Sequence, residues 1–236
     1  MMMKLALLKC MTVSSPLKDE YGDISDMFRA FFSRHTSQID LQIYDTEQGE
    51  LPEPETPLDG IIISGSPCSP NENLDWIKRT RQFIQTSHHQ KKKMVGICFG
   101  HQLLAEALGG KVKKAAQGWG LGVQPVFIHQ QRPWMETAAK QTSILVSYQD
   151  QVVELPPGAQ LLASNSHCPN FMFTLNQHVL GIQGHPEFSK PFARALYQSR
   201  QESFDKESLT LALESLGNEV HPRQWLQWIH QFFISA

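Results

Sequence analysis

Residues 95–104 read VGICFGHQLL, in which a short strand runs directly into a helix. The apolar run at residues 95–97 is typical of a buried strand, and the apolar spacing from residue 99 onward indicates a helix. Similar runs alternate along the first half of the chain. The strand-like runs lie at residues 5–8, 39–44 and 61–63, and the helical runs at residues 24–32 and 76–84. This alternation predicts a mostly parallel sheet with helices on both faces.

The second half of the chain has a different pattern. Several β-type runs and few helical ones occur between residues 112 and 182, at 123–128, 143–146, 161–164, 171–174 and 179–182. Helical patterns return from Pro191, and the last of them has an apolar stripe that indicates core packing, formed by Trp225, Trp228, Ile229 and Phe232. The sequence therefore predicts an α/β fold: a mostly parallel sheet, helices on both faces and an additional β-rich segment. The length of 236 residues favours a single domain over residues 1–236.

Composition narrows the classes of function. The chain has 21 lysines and arginines against 23 aspartates and glutamates, a net charge of −2. We therefore expect no binding to nucleic acid and no attraction to a membrane surface. No run approaches the roughly 18 apolar residues that would span a bilayer. The four cysteines form no CxxC pair, and we recognise no metal-binding cluster, dinucleotide fingerprint or P-loop. These features predict a cytoplasmic protein without a metal or cofactor.

Cys98 lies at the junction of strand and helix, in the sequence GICFG. This sequence has the form of the nucleophile elbow G-x-S-x-G, with cysteine in place of serine. The flanking glycines let the backbone approach its neighbours closely in a strained turn, and a helix N-terminus favours a thiolate. The N–H of Phe99 would point towards a developing oxyanion. On this pentapeptide alone, a buried structural cysteine in a glycine-rich turn remains the alternative.

A thiol nucleophile needs a base, and the base needs an orienting group. His185 and Glu187 follow the apolar run at residues 179–182, and on an extended segment their side chains point to the same side. The carboxylate can then hold the imidazole in the tautomer that accepts the thiol proton. His185 is 185 − 98 = 87 residues from Cys98, so a contact between them must be tertiary. Gly65, at the end of another predicted strand, is a candidate to present a second N–H to the oxyanion.

Three segments carry a family resemblance. They are GICFGHQ at residues 96–102, SGSP at residues 64–67 and GHPE at residues 184–187. Their order and approximate spacing are those of the class I (triad) glutamine amidotransferases, which the chain resembles over nearly its whole length. It is most similar to the stand-alone GMP synthase-like members, which include γ-glutamyl peptidases. The resemblance implies a flavodoxin-like sheet and a γ-glutamyl thioester on Cys98.

The same resemblance implies roles for individual residues. His185 is the implied base, and Glu187 orients it. The N–H groups of Gly65 and Phe99 would form the oxyanion hole. The implied substrate-binding residues are Gln102, Ser147 and Tyr148. Many relatives have histidine in place of Tyr148, and this difference bears on substrate preference.

Three interpretations of the function stay open. An amidotransferase would pass ammonia from glutamine to an acceptor on a separate synthase subunit, because we recognise no synthase domain in this sequence. A γ-glutamyl peptidase would hydrolyse a small γ-glutamyl substrate with no ammonia acceptor. A catalytically silent regulatory module of the same fold is the third, and the presence of Cys98, His185 and Glu187 argues against it. We further expect His101 to be a surface group or to lie behind the reacting residues, and Cys68 to be an inert thiol.

Overall fold

Eleven strands and seven α-helices are formed by residues 2–34, 39–135 and 139–235, which a computed structural model of the chain describes. The strands are β1 (Met3–Lys9), β2 (Ile39–Asp45), β3 (Gly60–Ile63), β4 (Met94–Ile97), β5 (Lys111–Lys114), β6 (Gly120–Ile128), β7 (Gln141–Tyr148), β8 (Asp150–Glu154), β9 (Gln160–Ser164), β10 (Met172–Leu175) and β11 (Val179–Ile182). The helices are α1 (Leu17–Tyr21), α2 (Ile24–Ser33), α3 (Asp75–His89), α4 (Phe99–Ala107), α5 (Lys190–Ser199), α6 (Lys206–Ser215) and α7 (Pro222–Ile234). Within the described ranges, no helix combines the length and the apolar character needed to cross a membrane.

Five strands form the parallel part of a nine-stranded sheet, in the order β2-β1-β3-β4-β11. Each neighbouring pair in this part is parallel. Numbered along the chain, the five strands have the order 2-1-3-4-5, which is the flavodoxin-like doubly wound order. Every residue of β3, β4 and β11 is buried, as expected for a parallel sheet that is covered on both faces. The parallel sheet predicted from the sequence is confirmed.

The predicted β-rich segment extends the same sheet. From β11 the order continues as β10-β9-β6-β7, and all of these pairings are antiparallel. Two further strands, β5 and β8, form a separate antiparallel pair. The apolar pattern does not single out either of them, because β5 reads KVKK and β8 reads DQVVE. Strands this short and polar are defined by their partner more than by their own sequence.

Two apolar cores lie on opposite faces of the sheet, as β1 illustrates. Its Leu5 and Leu7 belong to the core that includes α2, α5 and α7, whereas Ala6 and Leu8 belong to the core that includes α3 and α4. Full burial of such a leucine contributes about 1.5–3 kcal/mol. The predicted stripe on α7 lies in the first of these cores, with each member at most 2% exposed: Trp225, Trp228, Ile229 and Phe232.

The topology brings the ends of three strands together. The carboxyl ends of β3, β4 and β11 lie side by side, because β4 pairs in parallel with both of the others. Gly65 follows β3, Cys98 follows β4 directly, and His185 follows β11. Ligands of open parallel sheets gather at this edge. The candidate site is therefore expected here.

Candidate active site

Cys98 occupies a strained turn between β4 and α4. Its φ is +53° and its ψ is −105°, a conformation that residues other than glycine seldom adopt. A Cβ on Gly96 would overlap the backbone of Gly100, and a Cβ on Gly100 would overlap the carbonyl of Ile63. Only glycine therefore fits on either side of the cysteine. The turn places the Cys98 side chain at the N-terminus of α4, where the free N–H groups favour negative charge.

His185 reaches this turn through the pairing of β4 with β11. Ile97 is opposite Ile182 in the register, and the N–H of Cys98 donates to the carbonyl of Ile182 at 2.8 Å. The N–H of His185 donates to the carbonyl of Leu145 at 2.8 Å, which fixes the segment against β7. Residues that are 87 positions apart in the sequence are thus brought together by adjacent strand ends.

The imidazole of His185 is buried and oriented, and its pKa is raised. Its Nδ1 lies 2.8 Å from Oε1 of Glu187, and the two residues are 4% and 6% exposed. The ring of Phe188 stacks on it, with centroids 3.9 Å apart and planes 6° from parallel. Burial alone would lower the pKa of His185, but the negative charges of Cys98 and Glu187 and hydrogen bonds to them raise it to about 10. With Nδ1 held by Glu187, Nε2 is the nitrogen that is left for Cys98.

Two backbone N–H groups belong to residues next to Cys98. Phe99 follows it directly as the first residue of α4, and a Cβ on Gly65 would lie 3.8 Å from Cβ of Cys98. Ser64 connects this segment to the end of β1 and to the next peptide, because its Oγ accepts from the N–H of Cys10 at 2.9 Å and donates to the carbonyl of Gly65 at 3.0 Å. A Cβ on Gly65 would lie only 2.8 Å from Cε1 of His185. Glycine at this position therefore allows the imidazole to approach.

A glutamine pair lies behind the sulfur. The side-chain amide of Gln102 donates to the carbonyl of Asp150 at 2.6 Å and to Oε1 of Gln183 at 3.3 Å. Gln183 in turn donates to Sγ of Cys98 at 3.7 Å and is fully buried. Sequence reasoning did not identify Gln183 as a residue of the site. Its position two residues before His185 is the signal that points to it.

Ser147 and Tyr148 come to the site at the end of β7. The carbonyl of Ser147 lies 3.8 Å from the Cys98 sulfur, and its hydroxyl has no partner among the described residues. Tyr148 is 3% exposed, and its hydroxyl donates to Oε1 of Gln124 at 3.3 Å. Burial raises the pKa of Tyr148 well above its usual range, so its hydroxyl stays neutral. A Cβ on Gly120 would overlap the tyrosine ring, so the glycine makes room for this side chain.

Two cavities meet at Cys98. The first has a volume of about 190 Å³ and mostly polar walls, which include Glu72, Gln102, Lys114, Tyr148 and Asp150. The second has a volume of about 220 Å³ and contains His185 together with a largely apolar wall. Five residues line both cavities: Ser66, Pro67, Cys98, Ser147 and Arg200. The sulfur is therefore accessible from two sides that differ in polarity.

The remaining candidates, His101 and Cys68, are not among the proposed reacting groups. His101 is fully buried against Phe173, with ring centroids 5.1 Å apart, so the surface position allowed for it is wrong. Burial lowers the pKa of His101 to about 3, so it stays neutral. Cys68 lines the first cavity and is half-buried. Among the residues that the structure describes, no three His, Cys, Asp or Glu side chains are grouped to hold a metal ion.

Comparisons with known proteins agree with one another. The family model for class-I glutamine amidotransferases matches residues 17–198. γ-Glutamyl peptidase 3 of Arabidopsis thaliana is 34% identical over 196 residues, which cover 79% of this chain and 78% of that protein. One component of the glutamine-hydrolysing GMP synthase of Saccharolobus solfataricus is 32% identical over 131 residues, which cover 55% of this chain and 68% of that component.

A solved structure shares the fold over the full length. The crystal structure of a glutamine amidotransferase from Thermotoga maritima has a TM-score of 0.77 to this chain at 19% identity, and the match covers 99% of both. The family match spans well over half of the sequence, and the Arabidopsis relative exceeds 30% identity over more than two thirds of it. The chain belongs to the class-I glutamine amidotransferase family.

Proposed function

We propose that this chain is a cysteine hydrolase that cleaves the γ-glutamyl amide of glutamine or of a small γ-glutamyl compound. In this proposal Cys98 is the nucleophile, His185 the acid and base, and Glu187 the group that orients His185. The observation that carries it is the buried pair of His185 and Glu187, 2.8 Å apart, beside a cysteine in a strained turn at a helix N-terminus. A plain structural cysteine needs none of these features.

The proposed reaction has two steps. The Cys98 thiolate attacks the γ-carbonyl carbon, and the N–H groups of Gly65 and Phe99 bind the oxyanion. The C–N bond then breaks as the imidazolium of His185 gives its proton to the leaving amine, and a γ-glutamyl thioester remains. Next, His185 takes a proton from water, the resulting hydroxide attacks the thioester, and the C–S bond breaks. Glutamate leaves, and the proton that His185 took from water stays on the imidazole beside the thiolate.

The head of the substrate fits the first cavity. The α-ammonium group of a γ-glutamyl substrate would pair with Glu72 or Asp150, and its α-carboxylate with Lys114, since all three line that cavity. Gln102, Ser147 and Tyr148 would position the chain that leads to the carbonyl. We also propose that residues 1–236 form one catalytic domain and that the protein acts in the cytoplasm, where a free thiol persists.

A γ-glutamyl peptidase is the version that we favour over a synthase-coupled amidotransferase. The second cavity supports it, because ammonia released from glutamine would need no space of about 220 Å³ beyond the sulfur. The similarity to a component of a GMP synthase keeps the synthase-coupled version as the second candidate. In that version a separate synthase subunit would receive ammonia from the same site.

Glutamate release by the purified chain tests the proposal. We expect kcat/KM for a γ-glutamyl dipeptide to exceed that for glutamine, because only the dipeptide occupies both cavities. The matched control is the isomeric α-glutamyl dipeptide, which we expect not to be cleaved. Rapid hydrolysis of glutamine with no cleavage of the γ-glutamyl dipeptide would eliminate the peptidase and leave the synthase-coupled version. No glutamate from any substrate would favour the regulatory module.

A further inference from the structure

Each of the two cavities would hold a different part of a γ-glutamyl substrate. Under the function proposed above, His185 must reach the leaving nitrogen in order to protonate it. Of the two cavities, His185 lines the second and not the first. The leaving group therefore lies in the second cavity, and the γ-glutamyl head lies in the polar first cavity.

The second cavity has an apolar wall. Five of its apolar residues come from the segment around α1, from α5 and from the residues just before α5, and each of the five is at most 7% exposed: Val13, Leu17, Phe188, Phe192 and Leu196. No aspartate or glutamate lines this cavity among the described residues. An apolar group that enters it leaves water and gains free energy, whereas a charged side chain would lose its hydration without a partner.

Arg200 is the one permanently charged residue that lines the second cavity, as far as the chain is described. It directly follows α5 and is partly buried. Its guanidinium has neither a hydrogen-bond partner nor an ion-pair partner among the described residues. Burial lowers the pKa of Arg200, while the negative charge of Cys98 opposes that effect, and the group keeps its charge at any physiological pH. A carboxylate is the partner that matches its planar array of donors.

Arg200 lines the first cavity as well, but that cavity has a second cation in Lys114. The α-carboxylate of the γ-glutamyl head therefore does not require Arg200. This leaves the guanidinium available for a second carboxylate, on the far side of the scissile amide. An apolar wall beside a single unpaired cation is complementary to an amino acid with an apolar side chain and a free carboxylate.

We propose, on the basis of the hydrolase function above, that the preferred substrates are γ-glutamyl dipeptides whose second residue is apolar, such as γ-glutamyl-leucine. The apolar side chain packs against Leu17, Phe192 and Leu196, and the C-terminal carboxylate binds Arg200. Attack by Cys98 forms the C–S bond and breaks the amide C–N bond. The nitrogen receives its proton from His185, and the free apolar amino acid leaves through the second cavity.

A matched pair of substrates separates the carboxylate from the apolar group. γ-Glutamyl-leucine and γ-glutamyl-3-methylbutylamide differ only in the carboxylate, and γ-glutamyl-glycine keeps the carboxylate but lacks the side chain. We expect kcat/KM for γ-glutamyl-leucine to exceed that for the amide about 10–100-fold. We expect it to exceed that for γ-glutamyl-glycine about 10-fold or more. γ-Glutamyl-glutamate should be a poor substrate, because its side-chain carboxylate would lie against the apolar wall and lose its hydration without a partner.

Arg200→Gln tests the assigned partner. We expect this variant to reduce the ratio of kcat/KM between γ-glutamyl-leucine and the amide to near one, and Arg200→Lys to retain part of it. The control is Arg194→Gln, on the exposed side of α5, which should keep the wild-type ratio.

Two results for Arg200→Gln would overturn the proposal. An equal loss on all substrates would assign Arg200 to the glutamyl head, and an unchanged ratio would show that Arg200 does not bind the second carboxylate. If wild type hydrolyses glutamine and the amide but shows no preference for γ-glutamyl-leucine, this inference alone fails. If it hydrolyses none of them, the proposed function fails as well.

Discussion

Replacing Cys98 with alanine is expected to abolish the hydrolysis of every γ-glutamyl substrate, with kcat falling about 10⁴-fold or more. The reason is that the proposed thioester has no atom on which to form, while the proposed oxyanion hole and the two cavities remain. Cys98 is only 5% exposed and its side chain is small, so the variant should fold and keep binding substrate. The measurement is the steady-state rate of glutamate release, and thermal melting checks that the variant is folded.

The other thiol at the first cavity provides the matched control. Cys68 lines the same space as Cys98 but lacks the elbow, the histidine and the helix N-terminus. We expect Cys68→Ala to lower kcat far less than Cys98→Ala does. If the two variants lose activity equally, or if Cys98→Ala stays active, Cys98 is not the nucleophile.

Replacing His185 with alanine is expected to lower kcat by about 10³-fold or more, because both proposed steps move a proton through this imidazole. Glu187→Gln should lower kcat less, about 10–10³-fold, since an imidazole without its carboxylate still samples the right tautomer. A His185→Ala enzyme with a near-normal rate would remove the proton shuttle from the mechanism.

The pH profile distinguishes these roles from a loss of folding. The pKa of His185 is raised to about 10, so the imidazolium that protonates the leaving amine persists until the pH approaches that value. For wild type, kcat/KM should fall above about pH 10, over whatever range the protein stays folded. In Glu187→Gln the fall should begin at a lower pH, because the carboxylate no longer helps to raise the pKa of His185. The same charge also stabilises the fold: that contribution is complete below the ordinary pKa of 6.5 and is lost as the pH rises towards 10.

The parallel sheet and its elbow were predictable because local sequence determines them. Continuous apolar runs specify β3, β4 and β11, and adjacent parallel strands bring their carboxyl ends together. The contact between Cys98 and His185 follows from that pairing, although 87 residues separate them. The two glycines around Cys98 are required by backbone overlap, which is the physical reason that the motif suggested.

Other features depend on packing that one sequence does not reveal. His101, three residues past Cys98 on the helix, was expected either at the surface or behind the reacting residues, and it is fully buried against Phe173 and held neutral. The stacking of Phe188 on His185 and the contact of Gln183 with the sulfur depend on side-chain directions after β11. Arg200 is not part of any sequence motif that we recognise, and it lines the cavities because α5 ends beside them. The short strands β5 and β8 become recognisable only as a pair.

Identification of the covalent intermediate tests the central claim most directly. The chain is mixed with excess γ-glutamyl dipeptide, quenched in acid during turnover, digested and analysed by mass spectrometry. We predict that the peptide containing Cys98 carries the added mass of one γ-glutamyl group, that neutral hydroxylamine removes this group, and that Cys98→Ala carries none. Glutamate formation with the Cys98 peptide unmodified and the γ-glutamyl group on another residue would contradict the account.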